Sequence, residues 1–180
     1  GAQPEENVIN WARQLCDVLR YLHSGTPAII YRDMKPANVM LRPNGTVALI
    51  DFGTARVFKE KSVGDTTCLG TIGYAAPEQF GGMGQTDART DIYCLGVTLY
   101  NLLTNLNPSE PPYEIKPIRE IDPKFSKGLE YIIKKATLRD PELRYQSVSD
   151  MLYDLDNMDK TERKARKSAR LDKISGLFSE

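Results

Sequence analysis

A chain of 180 residues with 41% hydrophobic content can bury a core of its own, one domain being expected at ~150 residues. Basic and acidic residues are equal at 24 each, so the formal charge is zero and the chain as a whole does not read as a polyanion binder. The three cysteines, Cys16, Cys68 and Cys94, are odd in number and far apart, which argues against a disulfide framework or a thiolate metal site and for a reducing, cytoplasmic setting.

Val8, Ala12, Leu15, Leu19 and Leu22 recur at alternating steps of four and three, with Cys16 on the same side. This spacing predicts a long amphipathic helix entered through Pro4-Glu5-Glu6 and ended near Ser24-Gly25. Short β-prone runs follow at Ala28–Tyr31, Val39–Leu41 and Val47–Ile50, and Pro43-Asn44-Gly45 between the last two signals a hairpin. From Thr54 to Thr71 periodicity is lost and a long loop is expected. Thr90-Asp91 opens an apolar, almost uncharged segment through Leu103 that reads as a helix buried on most sides. The proline-rich stretch Asn107–Pro123 carries no helical period. Ser126–Thr137 returns to helix with Leu129, Ile132, Ile133 and Ala136 on one face, and Ser147 reads as the cap of a last helix whose apolar face is Val148, Met151, Leu152, Leu155 and Met158. After Asp159 the composition turns Lys/Arg-rich and apolar-poor, which divides the chain into a domain at 1–158 and a basic tail at 159–180. No apolar run approaches the ~18 residues of a membrane span.

The chemistry concentrates in two segments. Tyr31-Arg32-Asp33-Met34-Lys35-Pro36-Ala37-Asn38 sets an acid, a cation and an amide close together on a loop, and Asp51-Phe52-Gly53 adds a carboxylate after a hydrophobic strand. Together such groups can hold a metal-bound phosphate and take a proton from a hydroxyl. The pair, in this order and separation, closely resembles the catalytic and metal-binding loops of protein kinases. The resemblance runs from about Pro4 to Met158. It implies an α+β, mainly α-helical fold, the kinase-like C-terminal lobe, with short β-hairpins carrying the two loops. By that resemblance Asp33 is the catalytic base, Lys35 contacts the transferred phosphate of ATP, and Asn38 with Asp51 ligates Mg2+.

Gly70-Thr71-Ile72-Gly73-Tyr74-Ala75-Ala76-Pro77-Glu78 looks like the end of a kinase activation segment. Thr71 after glycine, with Lys35, implies protein substrates phosphorylated on Ser/Thr rather than Tyr. The family pattern also implies structural roles for Asp91, bracing the catalytic loop, and for a Glu78–Arg144 ion pair. Tyr31 replaces the commoner histidine and is an accepted variant, while His23 reads as a hydrogen-bonded structural residue and Trp11 as helix packing. Arg32 beside the base implies regulation by phosphorylation of the Thr54–Thr71 loop, with Thr67 and its neighbour Thr66 as phosphosites, or else as ordinary loop hydroxyls.

The family's Gly-rich nucleotide loop and strand lysine are absent from the sequence, and Gly81-Gly82-Met83-Gly84 is no substitute because no strand pattern flanks it. The expected partner is therefore an N-terminal lobe of the same protein, without which the fragment is expected to be essentially inactive and prone to self-association through its exposed upper face. A pseudokinase or scaffold lobe acting in protein–protein interaction is the alternative. Five prolines between Leu106 and Ser126 are expected to remove the substrate-docking helix most kinases place there, as in some bacterial Ser/Thr kinases. The tail carries Lys160, Arg163, Lys164, Arg166, Lys167, Arg170 and Lys173 against Glu162 and Asp172. It reads as a solvated helix or linker, or as a juxtamembrane segment touching anionic lipid on the cytoplasmic side of a membrane-anchored receptor-like kinase. No nucleic-acid partner is expected, since no aromatics interleave the charges.

Overall fold

The computed structural model describes residues 1–58, 70–80 and 85–177, with side chains through residue 172. Helix α1 spans Glu5–His23, with acids in its first turn, Arg20 and His23 in its last, and Val8, Ala12, Leu15, Cys16 and Leu19 fully buried along one face. Strand β1 (Ile29–Ile30) leads into the loop that carries Arg32, Asp33 and Lys35, and a short 3-10 turn at Pro36–Asn38 delivers the chain to β2 (Val39–Leu41). A turn in which Gly45 takes φ 81 returns it as β3 (Val47–Leu49), pairing Val39 with Leu49 and Leu41 with Val47.

Strand β4 (Arg56–Val57) lies inside the stretch expected to be loop, and it pairs antiparallel with β1. Two-residue strands carry no readable alternation, so only the fold reveals them. The second small sheet is thus not a hairpin. It joins the segments flanking the two candidate loops.

Helix α2 (Ala88–Thr104) begins earlier than Thr90-Asp91 because Asp87 caps it, accepting from the Arg89 amide, and it ends at Asn105 in the left-handed region. Ile92, Leu95, Leu99 and Leu103 are buried, as expected of a helix enclosed on most sides. The proline-rich stretch does contain one helical turn, α3 (Ile118–Ile121), a departure from the expectation. It starts directly after Pro117, where a missing N–H costs nothing.

Helix α5 (Val148–Asp156) carries the cap read from Ser147, and α4 (Lys127–Ala136) is capped by Ser126, each accepting from a backbone amide in the first turn. Side chains of α1, α2, α4 and α5 form one core. Gly96 of α2 lets α4 approach closely: a Cβ there would lie 2.8 Å from Ala136 Cβ. The basic tail forms helix α6 (Met158–Leu177). It packs on the lobe through Thr161 and Ala165, and the Gly128 amide donates to Glu162 at 3.0 Å. No helix among the described residues is long and apolar enough to cross a membrane.

Candidate active site

The loop that carries Arg32, Asp33 and Lys35 hangs from helix α2. Both oxygens of the buried Asp91 carboxylate accept backbone amides, from Tyr31 at 2.9 Å and Arg32 at 2.7 Å, and His23 Nε2 meets Oδ2 at 2.8 Å. Arg32 sits at φ 69, in the left-handed region that a bulky side chain rarely takes. Its guanidinium donates to Thr54 O at 2.7 Å, and burial, then the nearby charge of Arg56, holds its pKa below the ordinary value.

Asp33 is surrounded by donors. Thr71 Oγ1 donates to Oδ1 at 2.9 Å, Asn38 Nδ2 donates to Oδ2 at 2.9 Å, and Lys35 Nζ lies 3.0 Å from Oδ2. Lys35 also donates to Thr71 Oγ1 at 2.7 Å, so that hydroxyl links cation and acid. Of the roughly four acceptor positions of a carboxylate, three are used, and one on Oδ1 remains for a further hydroxyl.

Asn38 and Asp51 are brought together by the hairpin. Ile50 N donates to Asn38 O at 2.9 Å, which extends the β2–β3 pairing and sets Asp51 beside Asn38. Asp51 is exposed, at φ 62, and accepts from Gly53 N at 3.0 Å. An amide oxygen and a carboxylate are hard donors that suit magnesium, which takes few protein ligands and completes its shell with phosphate and water. Among the described residues no cluster of three or more His, Cys, Asp or Glu is placed to hold a metal. The residues present fit magnesium rather than an all-protein cage.

The candidate residues Asp33, Lys35, Asn38, Asp51, Thr71 and Arg32 therefore fall around the same loop and hairpin. Thr66 and Thr67 lie outside the described residues. Glu78 and Arg144 are paired and buried, with guanidinium-to-carboxylate distances of 2.7 and 2.9 Å, and Thr90 Oγ1 donates to the same carboxylate. Sequence reasoning missed a second function of Tyr31. Its hydroxyl donates to Ile50 O at 2.6 Å and its ring meets Phe52 edge-on at 5.2 Å, tying the catalytic loop to the Asp51 loop. Its phenol pKa is raised, chiefly by burial. Arg56 and Gln79 were missed as well, because nothing in their local sequence sets them apart.

The Arg32–Asn38 loop is thus suspended from α2 and faces a carboxylate at the end of the β2–β3 hairpin. The chain belongs to the protein kinase domain family, whose model matches residues 1–172. It is 36% identical over 165 residues to the probable serine/threonine-protein kinase SCO3848 of Streptomyces coelicolor, covering 84% of this chain and 24% of that protein. It is 36% identical over 168 residues to the serine/threonine-protein kinase PknB of Mycobacterium leprae, covering 86% and 26%. A probable serine/threonine-protein kinase of Clostridium perfringens, CPE1738, is 34% identical over 172 residues, covering 89% and 25%. The chain spans about a quarter of the length of these curated relatives.

Proposed function

We propose that this chain is the catalytic lower lobe of a serine/threonine protein kinase, transferring the γ-phosphoryl group of ATP to protein Ser/Thr hydroxyls. The observation that carries the reading is the Thr71 hydroxyl held between Asp33 and Lys35. It leaves one Asp33 lone pair for the acceptor hydroxyl and sets an ammonium beside it. In the step, the substrate oxygen attacks the γ-phosphorus, its proton passes to Asp33, and the bond to the nucleotide's β-phosphate oxygen breaks, with Lys35 offsetting charge on the transferred group. Asn38 and Asp51 would hold magnesium, which supplies charge neutralisation along the phosphates. Arg32, beside Asp33, is the residue that would pair with a phosphate on Thr66 or Thr67.

Met40, Leu41, Ile50, Phe52 and Val57 are exposed around the hairpin and the Asp51 loop. Such a surface suits an N-terminal lobe of the same protein, and without one this chain would show negligible activity, weak nucleotide affinity and a tendency to self-associate.

The test is the identity of the phosphorylated residue. A protein carrying this lobe together with a nucleotide-covering lobe should yield phosphoserine or phosphothreonine, and Asp51→Asn should abolish the response to magnesium. Phosphotyrosine alone, or no transfer with both lobes present, contradicts the reading and favours the scaffold alternative.

One observation favours a second role for the tail. Lys160, Arg163, Lys167 and Arg170 are exposed and recur at helical spacing on α6, whereas Lys164 pairs with Asp154 and Thr161 and Ala165 face the lobe. This stripe suits an anionic bilayer at about 1 kcal/mol per cation near the surface. The chain should sediment with anionic vesicles but not zwitterionic ones, and binding that ignores salt or lipid charge removes the idea.

A further inference from the structure

Arg32, the residue before Asp33, is held at both its amide and its carbonyl, and only one holder belongs to the family pattern read from the sequence. Asp91 takes the Arg32 amide hydrogen at 2.7 Å. The Arg32 carbonyl, which directly precedes Asp33, accepts from Gln79 Nε2 at 2.8 Å. Gln79 is 2% exposed. Its other amide atom, Oε1, accepts the Ala76 N–H at 2.9 Å and the Cys94 thiol at 3.2 Å. These partners define the orientation of the side-chain amide, because a backbone N–H can only donate and a carbonyl can only accept. The fit around it is close: a Cβ on Gly70 would lie 2.9 Å from Gln79 Nε2, and Gly70 itself is at φ 135.

We propose that Gln79 is a positioning residue for phosphoryl transfer. Its amide spans from the catalytic loop at Arg32 to the substrate-facing end of the activation segment at Ala76, and so holds Asp33 in register with Thr71. The reasoning is energetic as well as geometric. Arg32 occupies a left-handed backbone conformation, and such a conformation persists only where its surroundings over-determine it. Asp91 alone restrains the amide side of that residue, whereas Gln79 restrains the carbonyl side, adjacent to the base. The same amide restrains the loop that carries Thr71, whose hydroxyl completes the ring of donors around Asp33. No isostere reproduces both functions. Leucine fills the volume without hydrogen bonds, and glutamate accepts from Ala76 but donates to Arg32 O only when protonated.

This inference rests on the kinase reading above, and two measurements separate them. In the chain itself, hydrogen exchange of the amides at 31–34 should quicken at least tenfold in Gln79→Leu, with α5 amides unchanged. Unaltered exchange at 31–34 would overturn the clamp whatever the enzyme does. In the protein with its nucleotide-covering lobe, Gln79→Leu should lower kcat about tenfold or more with the nucleotide KM within about twofold. Gln79→Glu should be similarly slow at neutral pH and regain rate relative to wild type as acidification protonates the new carboxyl. A drop in thermal stability with kcat unchanged, or a Gln79→Glu pH profile parallel to wild type, would overturn the positioning role. If Gln79→Leu does not fold, the Gln79→Glu profile decides. Asp33→Asn serves as the control for the kinase reading: transfer that survives it discredits that reading, and the exchange result for Gln79 still stands.

Discussion

Arg144 and Glu78 form a two-pronged ion pair across 66 residues of sequence, with the guanidinium fully buried. It ties the end of the activation segment to the turn before α5, and Arg144 further donates to three backbone carbonyls, of Leu138, Arg89 and Arg139. Arg144→Met would leave the buried Glu78 carboxylate with only the Thr90 hydroxyl as partner among the described residues. We expect a loss of about 3–5 kcal/mol in denaturant-measured stability. Adding Glu78→Gln should recover part of it, and an additive double mutant would contradict the coupling.

Thr71 should matter through its hydroxyl. Thr71→Ala removes the donor to Asp33 and the acceptor for Lys35, and should lower kcat about 10–100-fold in the two-lobed protein. Thr71→Ser keeps both bonds and should keep most of the rate. Equal damage from the two substitutions would point to the methyl group instead.

Much of the helical frame could be read before the fold was known. Ser147 announced α5 through cap chemistry, and the apolar spacings from Val8 to Leu19 and from Leu129 to Ala136 announced α1 and α4, because these signals are local. The grouping of Asp33, Lys35 and Asn38 was legible for the same reason, since they lie on one short segment. What stayed hidden depends on contacts between distant segments. Gln79 reaches the Arg32 carbonyl across 47 residues. The β1–β4 pairing joins two-residue strands with no pattern of their own. The helix cap at Asp87 was overlooked because the apolar period begins only at Ile92, and the packed face of α6 is carried by small residues such as Ala165 that composition does not flag.

Gly73 is at φ 90, and a Cβ there would fall 2.4 Å from Pro108 O. The neighbouring Ile72 carbonyl also accepts from Ser109 Oγ, so this loop and the Asn107–Ser109 turn are pressed together. Gly73→Ala should cost about 1–3 kcal/mol in backbone strain alone, before the clash is relieved. Unchanged unfolding would contradict the close approach.

Two buried thiols give the chain an alkaline weakness. Burial pushes both Cys16 and Cys94 well above the ordinary thiol range. The folded state keeps these protons while the unfolded chain releases them above about pH 8.5, so stability falls as pH rises, by up to about 1.4 kcal/mol per pH unit for each thiol. Cys16→Ala should flatten the slope between about pH 8.5 and 9.5. A slope unaffected by the substitution would show that this thiol is already free to ionise in the fold.

Asp33 is the group on which the functional reading depends most, and one comparison addresses it. Phosphate transfer from ATP to a Ser/Thr protein substrate should be measured for the two-lobed protein, for its Asp33→Asn variant, and for this chain alone. Transfer by the two-lobed protein, lowered about 10²–10⁴-fold by Asp33→Asn and negligible for the chain alone, is the expected result. Undiminished transfer by the Asp33→Asn protein would contradict the role of Asp33, and Asp33-dependent transfer by the chain alone would contradict its need for a second lobe.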